Sequence, residues 1–195
     1  MISWSPINDD LINEIVDFVG DGSVLEVFAG NGELGRRLMA RSINVHSTSA
    51  HLAVYDGEGA ELPIDVEQLN AVDACKKYRD SFDYLLAAWP IADDTLLHCA
   101  LVWDKPVIVV GELWHEHPLN TYRVYSGTGS DSYFKNVVDI REPVMCLGRA
   151  SAAVMFHRLK DTLCSDFSPY LLSYEWASPS ELRYLYSQKC EKPHN

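Results

Sequence analysis

The stretch Val24-Leu25-Glu26-Val27-Phe28-Ala29-Gly30-Asn31-Gly32-Glu33-Leu34-Gly35 decides how this chain is read. A short apolar run with one acid inside it leads into a glycine-bearing turn. Leu34, Leu38 and Met39 then recur at helical spacing, so the order is strand (24–28), turn, helix (33 to about 41). Gly30 and Gly32 carry no side chain and let a ligand approach the main chain. The N-terminus of the following helix offers N–H groups to an anionic or carboxylate part of that ligand. In an open parallel sheet, the carboxyl end of such a strand borders the crevice where ligands bind.

The same rhythm extends outward. Asn8 is placed to cap a helix over 9–19, with Leu11, Ile12, Ile15, Val16 and Val19 on one face and Asp9 and Asp10 in the first turn. Strands are expected over 43–47, 82–89 and 106–111, and helices over 66–78 and 93–102. Strands alternating with helices imply a mostly parallel sheet with helices on both faces. After Gly111 the pattern changes. Residues 121–130 read as a loop, and 137–140 and 152–157 as strands joined by a turn around Gly148. The fold class is therefore α/β: a Rossmann-like, mostly parallel sheet finished by an antiparallel C-terminal strand pair. One domain is expected over 1–195, with an N-terminal helix within 1–22 and a helical tail over 158–195 (helices near 160–164 and 180–188).

Composition narrows the function classes. With 195 residues, 47% hydrophobic and 23% charged, the chain can bury a full core. Its net charge of −12, from 28 acidic against 16 basic side chains, disfavours a nucleic-acid partner. The five cysteines (Cys75, Cys99, Cys146, Cys164 and Cys190) include no CxxC pair. They point to a reducing compartment and to neither a disulfide framework nor a zinc ribbon. The N-terminus lacks a signal-peptide pattern and no apolar run is long enough to span a bilayer, so a cytoplasmic location is expected.

Gly30-Asn31-Gly32-Glu33-Leu34-Gly35 also satisfies GxGxxG, a pattern that many dinucleotide sites share. Glu26 separates the possibilities. A carboxylate four residues before the first glycine repels a pyrophosphate but pairs with a cationic amino group, directly or through water. The stretch from Val24 to Gly32 resembles motif I of class I S-adenosylmethionine (SAM)-dependent methyltransferases. The resemblance implies that Glu26, Phe28, Ala29, Gly30 and Gly32 hold the amino acid end of SAM, with Phe28 where the family often has glycine. The family's second strand usually ends in an acid for the ribose. Here the corresponding stretch is His46-Ser47-Thr48-Ser49, with Ser47 as a weaker substitute. Asp65 resembles the acid near adenine, its plain alternative being a helix N-cap. Ala88 falls beside the same group.

Motif IV of the family resembles residues 83–90. Its Ala87-Ala88-Trp89-Pro90 end lacks the polar acceptor that an adenine amino-methyltransferase uses and the Pro-Cys of a cytosine C5 enzyme. Trp89 faces the acceptor or simply packs. His115 and His117 follow a strand's carboxyl end and stand at the substrate mouth, unless that segment is a solvated loop. No metal is expected there, because no further Cys or His completes a ligand set. The expected function is methyl transfer from SAM to a small-molecule or protein acceptor. The alternatives are a non-catalytic SAM-fold binding or regulatory protein and an NADP-dependent oxidoreductase.

Overall fold

The computed structural model describes residues 7–50, 63–91, 93–112, 129–145 and 152–161. Helix α1 (Asp9–Val19) begins where the sequence placed it. The Asn8 side chain accepts from Leu11 N at 2.9 Å, and Gly20 ends the helix at a positive φ. There follow β1 (Ser23–Val27), α2 (Glu33–Met39) and β2 (Asn44–Ser49). Next come β3 (Val66–Gln68), α3 (Ala71–Tyr78), β4 (Tyr84–Ala88) and α4 (Thr95–Trp103). The described elements end with β5 (Val107–Glu112), α5 (Asp131–Asn136), β6 (Val137–Met145) and β7 (Ala152–Leu159).

The seven strands form one sheet in the order β3-β2-β1-β4-β5-β7-β6. Strands β3, β2, β1, β4 and β5 pair in parallel. β7 is antiparallel to both β5 and β6 and lies between them. The expected antiparallel pair is present. β7, however, is inserted into the sheet and not added at its rim.

Each face of the sheet has its own core. Leu25 and Val27 of β1 pack with α3, α4 and Tyr133 of α5. Val24 faces the other way, into the layer made by α1 and α2 with Phe156 of β7. Strand alternation puts Glu26 on that same α1–α2 face. Both faces being covered explains the apolar runs of β4 and β5, which have no solvent side.

One expectation needs correction, and one helix is new. The helix expected over 66–78 is a short strand, β3, followed by α3. Val66 pairs with Ser47 in the sheet, and backbone pairing outweighs a helical pattern that begins only at Ala71. Asp65 therefore caps nothing. Asn70 does, accepting from Asp73 N at 2.9 Å. Helix α5 fills the gap between the expected loop over 121–130 and the expected strand over 137–140; its signal is Ser130, whose hydroxyl accepts from Tyr133 N at 3.2 Å. The Gly148 turn and the tail helix over 180–188 lie outside the described residues, as does 160–164 beyond Asp161. Cys75 and Cys99 are buried free thiols; the other three cysteines lie outside the described residues. No helix among the described residues is long and apolar enough to cross a membrane.

The corrected boundary can be measured. Asn70→Ala should cost about 1 kcal/mol in urea unfolding, the worth of an N-cap. Asp65→Ala, which breaks one exposed ion pair, should cost about 0.3 kcal/mol. Equal losses would restore a helix starting at Val66.

Candidate functional site

The parallel strands all end at one edge of the sheet, and the tips of β1 and β4 lie side by side there. After Val27 the chain turns sharply: Ala29 N–H donates to Thr48 O at 3.1 Å, and Gly32 N–H to Ala29 O at 2.8 Å. Gly30 and Gly32 have φ of 55° and 74°. Phe28, in the place where the resembled family often has glycine, has φ 59°, and Trp89 at the tip of β4 has φ 47°. An aromatic residue in the left-handed region costs on the order of 1–2 kcal/mol. Two of them on adjacent strand tips concentrate backbone strain at this edge, as functional sites commonly do.

The three glycines of GxGxxG do different work. Among the described residues, a Cβ on Gly30 would meet nothing within 4 Å. A Cβ on Gly32 would lie 2.6 Å from Val66 Cγ2 and 3.1 Å from Arg36 Nη1. One on Gly35 would lie 2.5 Å from Glu26 Oε2 and closer still to Ser47 Oγ. Gly32 and Gly35 are thus fixed by packing, and Gly30 alone of the three leaves room for a ligand at the turn.

Glu26 is fully buried, seated under α2. Ser47 Oγ donates to its Oε2 at 2.6 Å and the Gly35 N–H also bonds the carboxyl. Oε1 has no partner among the described residues. Burial raises its pKa from 4.5 to about 7, against the lowering pull of the Ser47 and Gly35 hydrogen bonds and of nearby Arg36. First-turn donors of α2 are already engaged: Glu33 N–H bonds Asn31 Oδ1 at 3.1 Å, and Gly35 N–H bonds Glu26. The free helix terminus expected for an anion is therefore largely occupied by the chain's own oxygens.

The other sequence candidates fall as follows. Ser47 is buried and spends its hydroxyl on Glu26, while Thr48 donates to Glu26 O at 3.2 Å. Asp65 pairs with Arg36 at 3.1 Å, beside the Gly32 turn. Ala88 is buried at the end of β4. Trp89 is half-buried against the α1–α2 core, and the neighbouring Ile91 is exposed. Phe28 packs into the opposite, α3–α4 core and leaves the Gly30 face clear. His115 and His117 lie outside the described residues. Among the described residues, no group of three or more His, Cys, Asp or Glu side chains forms a metal site. Sequence reading missed the Glu26–Ser47–Gly35 seat. Its only sequence signal was the third glycine, which brings helix and strand close together.

No family model matches the chain, and no curated protein does. Solved structures match in fold. A mutant of MtNAS in complex with S-adenosylmethionine aligns with a TM-score of 0.52 and 11% identity, over 77% of this chain and 60% of that one. Magnesium protoporphyrin IX methyltransferase (ChlM) from Synechocystis PCC 6803 with bound SAH aligns with a TM-score of 0.50 and 11% identity, over 78% and 81% of the two chains. A protein assigned as a Zn-dependent alcohol dehydrogenase from Rhodobacter sphaeroides aligns at 0.52 and 9% identity, over 78% and 90%. At these identities the likeness establishes the fold alone, a Rossmann-like, mostly parallel sheet.

Two outcomes test the seat. Glu26 binds its proton more tightly folded than unfolded, so the stability this group contributes is full below pH 4.5 and is lost as pH rises to about 7. The loss should be about 3 kcal/mol in denaturation curves across that window, and Glu26→Gln should flatten it. Gly35→Ala should cost about 2 kcal/mol at any pH, because its Cβ displaces the carboxyl or the helix.

Proposed function

We propose that this chain is a SAM-dependent methyltransferase that acts on a small-molecule or protein acceptor. The observation that carries the reading is a buried acid, Glu26, with one oxygen unpartnered among the described residues, behind a turn whose Gly30 opens outward. A buried carboxyl in that state favours a cationic amino group nearby, directly or through water, since a positive neighbour restores its ionised form. SAM carries such a group at its amino acid end, along with the sulfonium. Phe28, Ala29 and Gly30 supply backbone at the same edge, and Gly32 shapes the turn. Ser47 acts through Glu26, and Asp65 and Ala88 border the adenine side. When bound, SAM supplies an activated methyl group whose transfer needs chiefly positioning of the acceptor. Trp89 stands at the tip of β4 on the acceptor side, and His115 and His117 complete that side in this reading.

The NADP reading is weaker on two counts. A pyrophosphate would meet the Glu26 carboxyl, and first-turn donors of α2 are already spent. The inserted antiparallel β7 also departs from the strand order 3-2-1-4-5-6 of dinucleotide folds. A non-catalytic SAM-fold protein has one observation in its favour: the Ser47 and Thr48 hydroxyls are consumed within the chain, leaving neither free for a ribose.

A thermal-shift series with SAM, S-adenosylhomocysteine and NADPH tests the proposal, because a ligand of the native state raises Tm. SAM and S-adenosylhomocysteine should raise it and NADPH should not. Gly30→Val should weaken SAM binding by at least about a hundredfold in calorimetry while the protein stays folded, since it fills the open face and strains a left-handed residue. Absence of SAM binding at millimolar concentration would overturn the reading.

A further inference from the structure

Away from the glycine turn, the described residues hold a chain of three titratable groups, two of them buried, that the proposed cofactor site does not use. Tyr133 of α5 is fully buried, and its hydroxyl lies 3.0 Å from His157 Nδ1 in β7. His157, also buried, faces Asp139 Oδ1 of β6 through Nε2 at 3.1 Å. The Tyr133 and Phe134 rings pack edge-on around the imidazole, with centroids 5.6 and 5.8 Å away. Burial pushes the Tyr133 pKa well above its usual value, so the phenol keeps its proton and donates it. His157 then accepts from the phenol at Nδ1, and its Nε2 faces the half-exposed Asp139 carboxyl.

The other end of α5 reaches the acceptor edge. Gly129 N–H donates to Pro90 O at 3.2 Å, and Ser130 Oγ to Asp94 Oδ1 at 2.5 Å. Ser130 is also the cap that accepts from Tyr133 N. Tyr133 is thus held by its main chain to the β4 edge and by its side chain to the β6–β7 pair. Six residues of helix have no stability of their own, so tertiary bonds must fix where α5 sits.

We infer that Asp139, His157 and Tyr133 are positioning residues: they hold α5, and through it the Gly129–Ser130 turn, against Pro90 beside Trp89. That this turn borders a methyl acceptor rests on the proposed function. The tether itself does not. Substitution by Phe at 133 keeps the ring and the packing but removes the donor to His157.

Hydrogen–deuterium exchange of the full chain without cofactor tests this, with SAM affinity measured alongside by calorimetry. Tyr133→Phe and Asp139→Leu should each speed exchange about tenfold in peptides covering 89–95 and 129–136, leaving 23–28 and 44–49 unchanged. Asp139→Asn, which keeps an acceptor for Nε2–H, should restore the wild-type pattern. SAM affinity should stay within about twofold in all three variants, because the glycine turn lies on other strands. Three results would overturn the inference: unchanged exchange at 129–136, a uniform rise across the sheet, or Asp139→Asn as damaging as Asp139→Leu. If no variant and no wild-type protein bound SAM, the proposed function would fail while the exchange data still judged the tether.

Discussion

The seat of one carboxyl group organises the corner of this sheet where β1, β2 and α2 meet. Glu26 in β1 is gripped by a hydroxyl from β2 and an amide from the first turn of α2, so three elements meet at a single side chain. Burying a carboxyl costs several kcal/mol unless its oxygens are satisfied, and here one oxygen has no described partner. A purely structural design would place a leucine there, as the neighbouring positions of β1 place Leu25 and Val27. The surrounding constraints follow from keeping the acid. Residue 35 must lack a side chain, residue 47 must donate, and the helix must lie close to the strand.

Much of the architecture was legible because it is written in local patterns. The apolar runs of β1, β4 and β5 and the Asn8 cap report buried strands and a helix start directly. The glycine turn with its preceding acid was legible for the same reason. Other features depend on partners distant in sequence. Val66 joins β2 only because Ser47 lies opposite it, and a residue-by-residue pattern reads the segment as the start of α3. The bond from Ser47 to Glu26, 21 residues earlier, could not be read from either residue's neighbours in sequence. His157 stood in a well-read strand, yet its bonds come from α5 and β6.

The left-handed aromatics show a different limit. Propensity predicts glycine or asparagine at positive φ, and nothing in Phe28 or Trp89 announces that backbone state. Their conformation is imposed by the two-sided core: Phe28 is drawn into one layer and Trp89 into the other. Packing on opposite faces holds the two tips in place. Local rules fail at this edge because packing on both faces of the sheet overrides the local backbone preference.

The insertion of β7 also dictates an order of assembly. Among the described residues, β6 has a single hydrogen-bonding neighbour in the sheet, and that neighbour follows it in the chain. As a ribosome extends the polypeptide, β1 through β5 can zip together while β6 emerges with no strand to receive it. Only once residues 152–159 have been made can β7 slot against β5 and recruit β6 as the outermost strand. Until then the nascent chain carries an exposed β5 edge, the kind of surface on which aggregation starts and chaperones act.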